Sequence, residues 1–162
     1  MEITVIGSTS GIVGWVAGAV RAGEIYAVNV ADMVTKVLSA VGINKISRLN
    51  ILDHSKKVST SLKTGTVKSI GIKIGSDLIN EYNVSGFKHL SLLKGRFAGD
   101  GFIHLQHCDI GINQDFLKKL AASCAAPVYA GTGAHNSLLR VQYGKYVRCE
   151  PTGICQIDVV RP

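Results

Sequence analysis

The chain has 162 residues, 46% of them hydrophobic, with 18 Gly and only 3 Pro. That is enough apolar material to bury one core over residues 1–162, and it excludes wholesale disorder. Eighteen basic residues against 11 acidic ones leave a net charge of +7, but the cations are scattered (Lys56, Lys57, Lys63, Lys68, Lys73, Lys88, Lys94, Arg96, Lys118, Lys119) with no basic run interleaved with aromatics, so no nucleic-acid partner is expected.

Glu2 to Ile6 reads as a first strand, closed by the glycine-bounded loop Gly7 to Gly14. Ile12 to Ala22 begins a helix or a glycine-rich segment. From Tyr26 to Val41 the apolar residues Val30, Met33, Val34, Val37, Leu38 and Val41 recur at spacings of three and four, which predicts an amphipathic helix capped by Asn29 or Asp32 and ended by Gly42. Ile46 to Leu52 is a second strand, followed by a polar loop over Ser55 to Ser61. Leu62 to Ile74, with Val67, Ile70, Ile72 and Ile74, suits a hairpin of edge strands. Leu78 to Lys94 carries a helix pattern, and Phe102 to Cys108 a third central strand. Asn113 to Ala125 predicts a second helix, capped by Asn113, with Phe116, Leu117, Leu120 and Ala121 on one side. Pro127 to Ala130 is a short strand. Leu138 to Tyr143 and Tyr146 to Cys149 read as a hairpin across Gly144, and Gln156 to Val160 as a last strand. Strands alternating with helices predict an α/β domain with a largely parallel sheet and helices on both faces.

No stretch reaches the roughly 20 apolar residues of a membrane span. Gly11 to Val20 has the look of a short export signal, but Met1-Glu2 supplies no positive start, so mature sequence is expected. The protein is therefore expected in the cytoplasm or exported without a cleaved peptide. The Gly7 to Gly14 loop has neither GxGxxG nor Gly-Lys-Ser/Thr, which weighs against a nucleotide-binding regulator. The cysteines Cys108, Cys124, Cys149 and Cys155 form no CxxC pair, and His104 with His107 lacks a second ligand pair, so no metal is expected. Cys149 and Cys155 flank a five-residue turn and are either a hairpin disulfide or two reduced thiols. Cys124 reads as a small buried helix residue.

Two apolar runs end in reactive side chains: Leu49 to Leu52 leads through Asp53 to His54, and Phe102 to His107 leads to Cys108. The carboxyl ends of parallel strands are where sites form in open α/β sheets. A thiol becomes a nucleophile when a base takes its proton, and an imidazole on a neighbouring strand end supplies one. His104 is too far from Cys108 along the strand, His107 points to the other face, and Asp53 sits one position off the face of His54. Asp109 is a turn cap or a substrate-tuning group. His135 and Asn136 belong to a hairpin entry or line the cleft.

With these pieces in order, followed by Asp115 to Leu120 and by Ala126 to Gly133, the chain resembles the bacterial caspase-like domains of the clan of caspases, gingipains and CHAT proteases. The likeness covers about residues 45 to 153, and the 54 positions between His54 and Cys108 are close to the caspase separation of about 50. The resemblance implies a caspase-like three-layer sandwich with a mostly parallel central sheet, helices on both faces and a peripheral hairpin. It implies His54 as general base, Cys108 as nucleophile and the Cys108 N–H as an oxyanion donor. Ser55 stands where the family usually has the glycine that gives the second donor, and His107 where the family has a small or acidic residue. Ser55, His107, Asp109 and Gly111 are the remaining oxyanion or cleft candidates. The implied function is a cysteine peptidase acting on peptide or protein through an acyl-enzyme, without cofactor, in the setting of a bacterial effector or toxin. A cell-wall amidase and an inactive binding module of the same fold are the alternatives. A homodimer through an edge strand is a further expectation, as is activation by cleavage in the loop from Ser55 to Thr66.

Overall fold

A computed structural model describes residues 1–7, 23–62, 65–136 and 141–162. Strands β1 (Glu2–Gly7) and β2 (Ile25–Ala27) precede helix α1 (Val30–Val41), and β3 (Ile46–Leu52) leads into β4 (Ser55–Leu62), β5 (Gly65–Ile74) and β6 (Asp77–Ile79). Then come β7 (Phe97–Gln106), α2 (Gln114–Cys124), β8 (Val128–Gly131), β9 (His135–Asn136), β10 (Val141–Gln142), β11 (Tyr146–Cys149) and β12 (Cys155–Val159). Seven of these form one sheet in the order β12-β11-β8-β7-β3-β1-β2. The five strands from β2 to β8 run parallel, and β11 and β12 are antiparallel additions. Strands β4, β5 and β6 make a separate antiparallel sheet, and β9 pairs with β10.

Register explains the core. Ile3, Leu49, Ile103, Val128 and Cys149 lie side by side across five strands, and each is buried. Against that apolar face pack Val30, Met33, Val34 and Val37 of α1 and Phe116, Leu117 and Leu120 of α2. A 3-10 turn at Lys88–Leu93 touches both helices, so among the described residues the two α-helices share one face. The neighbouring row is polar: Thr4, Asn50, His104, Tyr129 and Arg148 stand in register on the opposite face. There Arg48 lies over the Phe102 ring, Phe102 meets Tyr129 with centroids 4.9 Å apart, and Arg148 lies over Tyr129.

Both helices start where side chains satisfy free backbone donors. The Asn29 carboxamide accepts from the Asp32 N–H at 2.8 Å, and Asn113 accepts from Phe116 N–H at 3.1 Å. Gly42, with φ 56° and ψ −121°, takes a positive-φ conformation open mainly to glycine, and its N–H donates to the Leu38 carbonyl as α1 ends.

Four expectations need correction. Ser55 to Ser61 is not a loop but most of β4, paired residue by residue with β5 from Ser55↔Ile72 to Leu62↔Gly65. Leu78 to Lys94 holds no α-helix: Asp77–Ile79 is drawn into β6, and two 3-10 turns follow. Asn80 and Asn83 bond to local backbone there, competing with helical hydrogen bonds. Tyr146–Cys149 joins the main sheet between β8 and β12 rather than pairing with the segment before Gly144, because Tyr146, Val147 and Cys149 are buried there. The strand ending near Cys108 begins earlier and stops at Gln106. The expectations for Ile12 to Ala22, for the Gly7 to Gly14 loop beyond Gly7, and for Leu138 to Arg140 fall outside the described residues.

Cys149 and Cys155 are directly paired across β11 and β12 and are joined as a disulfide. Reduction with a thiol reagent is expected to destabilise the fold by about 2 kcal/mol, the scale for so short a loop, and to lower the Tm. An unchanged melt after complete reduction would show that β12 is held by its ladder alone.

Candidate functional site

Strands β3 and β7 are adjacent and parallel, and their last paired residues are Leu52 and Gln106. His54 and Cys108 therefore each lie two positions beyond the same rung, at the carboxyl end of the sheet. The residues between hold the two tips in place. The buried Asp53 carboxylate accepts the His54 backbone N–H at 2.7 Å and the Gly75 N–H at 3.1 Å. Gly7 at the end of β1 leaves room for it, since a Cβ there would lie 1.7 Å from Asp53 Oδ2. Asp53 is thus a clasp on the β3 tip through backbone donors.

One residue of the hairpin buttresses both tips. Lys73 N–H donates to the His54 carbonyl at 2.9 Å, and the Lys73 carbonyl accepts from His107 Nε2 at 3.4 Å. His107 is fully buried, and burial pushes its pKa down to about 3. It is neutral near pH 7 and packs under the tip. The His54 side chain is exposed, and Ser55 begins β4 half-buried opposite Ile72.

Cys108 is half-buried. Its Sγ accepts the His135 N–H at 3.3 Å and lies 3.8 Å from the His135 carbonyl oxygen. The exposed Asp109 has φ 56°, a left-handed conformation rare for a non-glycine residue. Its N–H donates to the Gly133 carbonyl at 2.9 Å. Gly111 is buried against the backbone of Gly131, where a Cβ would sit 2.8 Å from the Gly131 carbonyl carbon. Gln142 ties the 133–135 segment down by donating from Nε2 to the Gly133 carbonyl at 2.6 Å. Replacing Gly111 with Ala is expected to push the Cys108 turn off β8 and lower the Tm by several degrees. A melt identical to wild type would refute the tight approach.

His104 is buried on the polar face, with Nδ1 3.3 Å from Asn50 Oδ1, and desolvation brings its pKa down to about 3. Cys124 is buried in α2, where desolvation pushes its thiol up to about 12. With Cys149 and Cys155 disulfide-bonded, Cys108 is the one partly exposed thiol. Among the described residues no group of three or more His, Cys, Asp and Glu side chains could hold a metal, and no helix is long and apolar enough to cross a membrane.

Sequence reasoning did not single out Lys73, and it left His135 undecided. Lys73 and the His135 contact to sulfur act through main-chain atoms, which carry no residue-type signature. The exclusion of His104 rested on strand spacing, and the structure places it well down the sheet, in register with Asn50 and Tyr129. Compared with protein-family models, curated proteins and solved structures, the chain has no significant match in any of them.

Proposed function

We propose that the chain is a cysteine-dependent hydrolase of caspase-like type, and specifically a peptidase, with Cys108 as nucleophile and His54 as its base. The observation that carries this reading is the shared Lys73 buttress. Its N–H holds the residue bearing His54, and its carbonyl holds the residue preceding Cys108. An imidazole and a half-buried thiol stand at neighbouring parallel strand ends, and the reading requires the two side chains to come within hydrogen-bond reach, as nucleophile activation needs.

In the proposed reaction the His54 imidazole takes the Cys108 proton, and the thiolate attacks an amide carbonyl carbon. The tetrahedral oxyanion is stabilised by backbone donors, each worth about 3 kcal/mol. The C–N bond then breaks, and the amine leaves with the proton carried by His54. Water, deprotonated by the same imidazole, hydrolyses the thioester and restores the thiol. No resident cofactor enters this scheme. The mainly parallel sheet of seven strands and the separate hairpin sheet suit this reading, whereas the two described α-helices lie on one face and not on both, as a three-layer sandwich would have them.

A second reading, a binding module of the same fold without turnover, is favoured by the His135 N–H lying on the sulfur and by Ser55 in place of glycine. Digestion of a peptide library separates the two. The hydrolase reading expects discrete cleavages by wild type that vanish with Cys108→Ala. Identical digests from both proteins would leave the binding module.

A further inference from the structure

We infer that the exposed edge of β4 is a docking surface for an acidic, extended peptide segment. The charge of the molecule is concentrated there. From Ser55 to Ile74 the sequence holds five Lys and no Asp or Glu, in a chain whose net charge is +7. Lys56, Lys57 and Lys68 are exposed. β4 is an end strand of its sheet, bonded to β5 on one side only among the described residues. Alternate backbone N–H and C=O groups along such an edge point outward and pair readily with an added strand.

The side chains select the occupant. Lys57, Val58, Ser59, Lys68, Ser69 and Ile70 line a cleft of about 410 Å³. In it Lys57 pairs with Ile70 and Ser59 with Lys68 across the ladder, so Lys57 and Lys68 lie diagonally on one face. Carboxylates at alternate positions of an added strand would meet these cations. The same hairpin holds no Phe, Tyr, Trp or Arg. It therefore lacks the stacking platforms and bidentate donors of nucleic-acid binders, and the aromatic anchors of interfacial membrane segments.

The surface lies directly after His54, but it does not depend on Cys108 chemistry. The test uses full-length Cys108→Ala protein and a fluorescein-labelled octapeptide of alternating Glu and Thr, read by anisotropy. Binding is expected to weaken at least tenfold with the Lys-for-Glu peptide, with a backbone N-methylated Glu peptide, and with the Lys57→Glu/Lys68→Glu protein. Equal binding of the N-methylated peptide would overturn strand addition. Tighter binding of a DNA duplex or of phosphatidylserine vesicles would overturn the peptide as occupant, as would dimerisation through β4 that excludes the peptide. Peptide binding alongside a wild-type protein that cleaves nothing would retire the hydrolase and leave the docking surface standing. Cleavage without any acidic preference or binding would do the reverse.

Discussion

Lowering the pH from 7 to 4.5 is expected to remove about 5 kcal/mol of stability, enough to unfold much of the protein. His104 and His107 are the cause. Both are buried, and desolvation takes each pKa from 6.5 to about 3. For His107 the hydrogen bond to Lys73 opposes burial and loses to it. The unfolded chain binds protons on these rings below about pH 6.5, while the folded chain keeps them neutral down to about pH 3. Their stabilising effect is thus fully present above the unfolded pKa and is lost as pH falls toward the folded one. Between pH 7 and 4.5 each ring accounts for about half of that loss. The check is a pair of denaturant melts at the two pH values, in wild type and in His104→Asn/His107→Gln. These amides can replace the ring nitrogens that face Asn50 and Lys73 but do not ionise in this range. The double variant is expected to lose far less stability between pH 7 and 4.5 than wild type. An equal loss would place the acid sensitivity elsewhere.

Removing His54 is expected to lower peptide hydrolysis by 10²- to 10⁴-fold, the usual worth of a positioned general base. Cys108→Ala is expected to abolish it, because no other thiol is both free and accessible. The two effects should not add: with the nucleophile gone, the base has no proton to take. His54 is exposed, so its Ala variant should fold with an unchanged melt. Asp53→Ala should behave differently. It frees two backbone donors, at His54 and Gly75, and should lower stability and activity together. A His54→Ala protein with wild-type turnover would exclude the imidazole as base.

The parts of the fold readable in the sequence are those where burial imposes a period. Val30 to Val41 and Phe116 to Ala121 show the three-four spacing because one side of each helix meets the sheet. Ile46 to Leu52 matches β3 because Leu49 and Ile51 alternate with Arg48 and Asn50, a period of two that faces one side of the strand to the core. Strand β4 was unreadable for the opposite reason: Ser55-Lys-Lys-Val-Ser-Thr-Ser-Leu62 has little to bury, so no alternation marks it. The stretch from Leu78 to Lys94 misled because Leu90 and Leu93 are buried from 3-10 turns, which mimic helical spacing over a short range. At the candidate site, apolar runs ending in His54 and Cys108 pointed to neighbouring strand tips, and β3 and β7 are neighbours. The Lys73 buttress, the Asp53 clasp and the His135 contact depend on main-chain groups brought together by the fold, so residue types alone did not announce them.

The most direct measurement is the pH dependence of iodoacetamide alkylation of the native, non-reduced protein, which reports on Cys108 because Cys124 is buried and the other two cysteines are bonded. Activation by His54 predicts rapid alkylation well below pH 8, through a low-pH limb that His54→Ala abolishes. A single rise near pH 8.5, the same in both proteins, would contradict it.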